Sequence, residues 1–177
     1  MKLNNLIMVF IGMAFSGGAS ASGPLYYNVN GGASEQLDVT PIYDHFSGTY
    51  TWRNGFCTVD CALSADVSIS EDSNGVTSFL FSSPVSGGNF FCSTLTFSPT
   101  AWSGSVPTPI SVNDSPIAFT VSGIEQSSLC GVCSDQMDIY FHAEDGGYFS
   151  FDGPIAPNGT CSLKGEMSSS NYYEFWN

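Results

Sequence analysis

The chain has 177 residues and sets sixteen acidic side chains against three basic ones, for a formal charge of −13. A surface of that sign and size repels nucleic acid and anionic membranes, so neither is expected as a partner. The length allows one domain with a sizeable core and is too short for two comfortable ones.

In chain order, the first feature is an export signal. Lys2 gives a short positive start, Leu6 to Phe15 is an apolar run too short to span a bilayer, and Ala19-Ser20-Ala21 supplies a small-x-small cleavage pattern. Residues 1–21 therefore read as a Sec-type signal peptide and residues 22–177 as the mature domain. No second apolar stretch approaches transmembrane length, and no lipobox cysteine follows the signal, since the first cysteine is Cys57. The expected product is exported and unanchored, in the periplasm or outside the cell. It keeps Arg53 and Lys164 as its cationic side chains against the same sixteen carboxylates. This reads as a solvated acidic surface, with no metal site and no cofactor expected.

The mature part is patterned with period two. Leu25–Val29 and Gln36–Ile42 are the first strand candidates. Phe46, Gly48, Tyr50 and Trp52 then alternate with Ser47, Thr49 and Thr51, and Cys57, Val59, Cys61, Leu63, Ala65, Val67 and Ile69 line one face of a long strand. Asn74-Gly75 closes a hairpin into Val76–Ser82, followed by Phe90–Phe97. "SPTAWSGSVPTPISVNDSP", residues 98–116, contains four prolines and no sustained alternation, so it reads as a long crossover or edge loop. Ile117–Ile124 and Gln136–Ala143 come next. Glu144-Asp145-Gly146-Gly147 turns into Tyr148–Asp152, and Thr160–Met167 and Tyr172–Trp176 complete the set. No twelve-residue segment carries a helical stripe. The fold class implied is all-β, an antiparallel β-sandwich with Greek-key or jelly-roll-like connections. The C-terminal aromatic strand and the length also fit an eight-stranded outer-membrane barrel. Six cysteines, the proline-rich segment and a final Asn177 argue against that reading.

All six cysteines, Cys57, Cys61, Cys92, Cys130, Cys133 and Cys161, lie in the mature part, and an even number in an oxidising compartment reads as a disulfide framework. Cys130-x-x-Cys133 lacks the neighbouring cation that stabilises a redox thiolate, and a zinc site on the two close pairs would leave two cysteines over. In an extended strand Cys57 and Cys61 share a face but lie about 13 Å apart. A disulfide needs Cα atoms within about 7 Å, so these two do not pair with each other.

The segments "CALSADVSI", "NGVTSFLFSSPVSGGNFFC", "AWSG", "VSGIEQSSLCGVCSD" and "NGTCSLKGEMSSS" occur in that order from Cys61 onward. In this order of features the chain resembles the alkane oxidation protein activator family, PraB, over roughly the last two-thirds of the mature part. The resemblance implies a small secreted β-protein associated with growth on hydrocarbon and with material outside the cell, without a catalytic centre. It matches Cys61 or Cys57, Cys92, Cys133 and Cys161 to the family cysteines. The pairs so implied are Cys61–Cys92 and Cys133–Cys161, which leaves Cys57 with Cys130 as an added bridge. Residues 25–56 fall outside the resemblance.

No nucleophile elbow, Walker loop or H-E-x-x-H occurs, and the two histidines, His45 and His142, read as strand-end residues. No catalytic residue is expected and the chain is not read as an enzyme. Aromatic residues are more informative. Phe79, Phe81, Phe90 and Phe149 read as core between two sheets. Trp102 in the proline-rich segment, with Tyr172, Tyr173, Phe175 and Trp176 near the end, reads as an exposed contact surface. The functional expectation is a secreted, non-catalytic surface or matrix protein acting at a cell-surface or hydrocarbon interface, in support of alkane use or adhesion. Its partners would be an extracellular surface, matrix or hydrocarbon, with self-association compatible. The alternative is a carbohydrate-binding or calcium-dependent adhesive module using aromatic platforms and the acidic residues Asp135, Asp138, Glu144 and Asp145.

Overall fold

The computed structural model describes residues 24–98, 101–107, 109–155 and 161–177, so the segment read as a signal peptide lies outside the described residues. The strands are β1 (Tyr26–Val29), β2 (Glu35–Gln36), β3 (Ile42–Asn54), β4 (Cys57–Glu71), β5 (Thr77–Gly87), β6 (Thr96–Ser98), β7 (Ala101–Val106), β8 (Ile117–Ser128), β9 (Gly131–His142), β10 (Tyr148–Pro154), β11 (Cys161–Ser169) and β12 (Tyr173–Trp176). A single helical turn, α1 (Phe90–Ser93), interrupts them.

Eight strands form a closed antiparallel ring in the order β3, β4, β5, β7, β8, β9, β10, β11, with β11 returning to pair with β3 along Cys161↔Asn54 to Ser169↔Phe46. This corrects the sandwich expectation, and the Greek-key and jelly-roll connections with it. The chain runs up and down around one barrel, each long strand beside its successor, with β6 adding a short pairing to the far half of β8. Full closure removes the exposed edges that an open sheet must protect.

The alternation read in the sequence now has a direction. Phe46, Tyr50 and Trp52 of β3, Leu63, Val67 and Ile69 of β4, and Phe79 and Phe81 of β5 are buried inside the barrel. Outward positions such as Ser47, Thr49, Thr58, Asp60, Asp66 and Asp138 are polar and exposed, the reverse of the apolar outer band of a transmembrane barrel. Among the described residues no helix is long and apolar enough to cross a membrane.

An eight-stranded barrel leaves room for a filling of side chains or one small ligand. Here the filling is aromatic. Phe149 of β10 lies 5.1 Å from Phe81 on the opposite strand β5 and 5.2 Å from Phe46 of β3, ring centre to ring centre. Phe79 stacks on Phe119 of β8 at 4.3 Å. Each fully buried ring contributes about 2–3 kcal/mol of apolar transfer, with edge and stacking contacts in addition. Facing walls therefore touch across the interior, which is the feature a barrel shares with a sandwich.

The two ends are built differently. A small sheet, β12–β1–β2, caps the end where β3 begins and β4 ends, and its inward residues Tyr173 and Phe175 pack on Phe46 and Phe141. All three disulfides lie toward the other end.

Candidate functional site

Among the described residues the bridged end carries the β3–β4 turn, the β8–β9 turn and the helical turn α1. The β3–β4 turn and the β8–β9 turn stand on opposite sides of the ring, and Cys57–Cys130 joins them across the mouth with 6.3 Å between Cα atoms. Asn54 Nδ2 donates to the Cys130 carbonyl at 3.1 Å, so the two turns also meet by hydrogen bond. Cys61–Cys92 holds α1 against β4, helped by Asn89, whose side chain accepts from the Cys92 amide at 3.1 Å and caps the turn of helix. Cys133–Cys161 ties β9 directly to β11, with 5.8 Å between Cα atoms, beyond the point where β10 pairs with β9. These are the pairs the family resemblance implied.

The surface residues expected from sequence divide. Trp102 is 2% exposed and therefore not a contact residue. Residues 101–106 are strand β7 rather than loop, and Trp102 faces inward beside Phe81, with its ring edge-on to Phe97 at 4.9 Å. Tyr173 and Phe175 are also buried, since β12 alternates and turns these two into the barrel end. Tyr172 and Trp176 are exposed, Trp176 stacking on Tyr26. Phe79, Phe81 and Phe149 are core as expected, but Phe90 is exposed because 90–93 is a helical turn and not a strand.

The exposed apolar residues missed in sequence lie at the bridged end: Phe56 at the apex of the β3–β4 turn, Phe91 beside Phe90 on α1, and Leu129 and Val132 at the β8–β9 turn. A signal existed. Phe56 follows Asn-Gly and Phe90-Phe91 follow Gly-Gly-Asn, where two consecutive rings beside a turn cannot both face inward.

The polar groups inside and on the wall form pairs. Tyr50 donates to Ser86 Oγ at 2.9 Å and accepts from Gln126 Nε2 at 2.9 Å, linking β3, β5 and β8 through the core. Burial pushes the Tyr50 hydroxyl above its ordinary value, which keeps it a donor. His45 lies 2.8 Å from Asp66 on the outer wall. His142 lies 2.7 Å from Ser150 and stacks on Tyr148 at 4.1 Å. Burial lowers the His142 imidazole below its ordinary value, against the opposing charges of Asp145 and Glu166. Neither pair has a third member among the described residues that would make it a triad. Asp135, Asp138, Glu144 and Asp145 are spread along β9 and its following turn. Among the described residues no group of three or more His, Cys, Asp or Glu converges as a metal site.

On the outer wall a groove of about 820 Å³ runs across five strands, lined by Tyr43, Ser68, Leu80, Ser103, Thr120 and Ser122 among others. Comparison with known proteins returns no match, whether to a family model, a curated protein or a solved structure.

Proposed function

We propose that the protein is an exported, non-catalytic surface protein that works by contact made with its outside, at an extracellular surface, matrix or hydrocarbon interface, in support of alkane use or adhesion. The observation that supports this reading is the aromatic-filled barrel. A barrel used to carry a ligand keeps an interior cavity, whereas Phe79, Phe81, Phe119 and Phe149 occupy this interior from wall to wall. Three disulfides fit a protein meant for an oxidising compartment. The resemblance to the alkane oxidation protein activator family points in the same direction.

A second reading, carbohydrate contact, is favoured by the outer groove. Tyr43 offers an exposed ring, and Ser68, Ser103, Thr120 and Ser122 offer hydroxyls with no charged side chain lining the groove. One comparison separates the two. Purified exported protein is exposed to an oil–water interface and, separately, to soluble and insoluble polysaccharides. Adsorption to the interface without saturable glycan binding supports the first reading; saturable glycan binding abolished by Tyr43→Ala, without interfacial adsorption, replaces it with the second.

A further inference from the structure

The turn apices described at the bridged end carry no charge, although Arg53, Asp60 and Asp135 stand on the strands beside them. The segments 54–57, 88–94 and 128–132, described turns of the bridged end, contain no Asp, Glu, Lys, Arg or His. They present Phe56, Phe90 and Leu129 at 110%, 73% and 72% exposure, with Phe91 and Val132 also exposed. At the capped end stand Asp38, Asp44, Glu71, Asp72, Glu144 and Asp145. An exposed apolar cluster on a chain of formal charge −13 is not a by-product of composition.

The construction of this end is also specific. Phe56 and Leu129 are each the residue immediately before a bridged cysteine, and Cys57–Cys130 holds their two turns together across the mouth. Phe90 and Phe91 precede Cys92, which is bridged to β4, and their rings meet edge to face at 5.9 Å. Each of these exposed apolar side chains thus sits within three residues of a bridged cysteine.

We propose that the bridged end is an insertion tip for an uncharged apolar liquid surface, of the kind a hydrocarbon droplet presents. The proposal rests on the surface-contact reading above and names its site and partner. Three features select this occupant. The side chains stand on convex turn apices, a shape that enters a fluid and finds no counterpart on a second convex copy. An anionic membrane is opposed by the net charge. A lipid headgroup layer is met by several Trp, Tyr, Lys or Arg, whose polar ends sit among the headgroups; the three apices carry none of these, and Arg53 at the foot of the β3–β4 turn is the single cation beside them. Phe, Leu and Val have no polar end to place there and suit a liquid with no headgroup layer. With the tip immersed, the acidic end faces water, so a coated droplet acquires negative charge and resists coalescence.

The test uses the exported protein with its three bridges intact and hexadecane as the apolar phase, measuring adsorption by pendant-drop tensiometry and droplet charge by electrophoretic mobility. Wild type is expected to adsorb and to make droplets more negative. Phe56→Ser/Phe90→Ser/Leu129→Ser is expected to need about a hundred-fold higher concentration for the same coverage, from the apolar area removed. Tyr43→Ser on the wall, and Phe56→Leu at the tip, should adsorb like wild type. If the triple variant loses its thermal transition, the single variants Phe56→Ser and Leu129→Ser, both outside the core, carry the comparison. Equal adsorption of wild type and tip variants overturns the tip while leaving surface contact standing. Failure of wild type to adsorb overturns the proposal and the interface reading together. Binding to zwitterionic vesicles in place of hexadecane, or a dimer that the tip variants dissociate, overturns the proposal in favour of a membrane or a second copy.

Discussion

Asp44 and Glu71 both stand at the capped end, and their surroundings tune them in opposite directions. Burial disfavours the Asp44 carboxylate, but Ser169, Tyr173 and Asn171 donate to it from the C-terminal segment, and the His45 amide adds a fourth bond. The result holds its carboxyl below the ordinary range. A folded-state value below the unfolded one stabilises fully above the unfolded value of about 3.9, and the contribution disappears as pH falls through the lowered value. Glu71 is 6% exposed, and burial raises its carboxyl although the Leu25 amide and the Thr77 hydroxyl donate to it. Its sign is reversed: the cost is absent below the unfolded value of about 4.3 and grows as pH rises through the raised one. Asp44→Asn should therefore lower stability at pH 7 by about 2 kcal/mol, since hydrogen bonds to a charged group are lost. Glu71→Gln, which keeps an acceptor for the Leu25 amide, should raise the melting temperature at pH 7 and leave it unchanged near pH 3. Thermal melts of the two variants across this range decide the matter, and shifts of the same sign at pH 7 would refute the assignment.

At the level of elements, the bridges are unequal. Cys57–Cys130 closes a separation of 73 residues, against 31 for Cys61–Cys92 and 28 for Cys133–Cys161. Loop-closure entropy of the unfolded chain then assigns it about 4.4 kcal/mol and the others about 3.6 kcal/mol each. It is also the half-exposed bridge, the other four cysteines being buried. A mild water-soluble reductant followed by alkylation and peptide mapping should label Cys57 and Cys130 first; earlier labelling of Cys92 or Cys133 would contradict this order. The same elements mark what was legible in the sequence. β3, β4 and the first half of β5 were readable because their alternation is unbroken and Asn74-Gly75 marks a turn, whereas Ser83–Gly87 went unread where the β4–β5 ladder shifts register between Ser64 and Asp66. β7 was lost because Gly104 sits where an apolar residue would have continued Trp102 and Val106. Only Gly fits there, since a Cβ would lie 2.7 Å from both the Phe119 ring and the Thr120 carbonyl. The prolines that made the segment read as loop, Pro99, Pro107, Pro109 and Pro116, all lie outside the strand. The exposed tip was missed for a related reason: period-two reasoning assigns faces to strands and has nothing to say of a ring at a turn apex.

For the whole molecule, the distinction between sandwich and barrel is carried by one ladder that no local pattern encodes, β11 with β3. Each strand alternates in the same way in either architecture, so the sequence specified the layers and left the closure open. Closure is uneven around the ring. β3 and β4 are paired through thirteen positions from Ile42↔Ile69 to Asn54↔Cys57, whereas β7 meets β8 in one register pair, Ser103↔Ser122. Beside that pair β8 bulges, its register with β9 shifting between Val121 and Ile124 around Gly123, whose φ of +73° suits glycine. No disulfide crosses this seam. In an antiparallel strand successive amides point to opposite neighbours, so half of the β7 amides face the full ladder with β5 and half face the seam. Hydrogen exchange followed by NMR should accordingly alternate along Ala101–Val106, slow toward β5 and at least ten-fold faster toward β8, while Phe46–Asn54, paired on both sides, exchanges slowly throughout. Uniform protection along β7 would mean that the seam is as tightly bonded as the rest of the ring. Alternating protection would place the first opening of the barrel at the joint with the shortest ladder, which no covalent bridge secures.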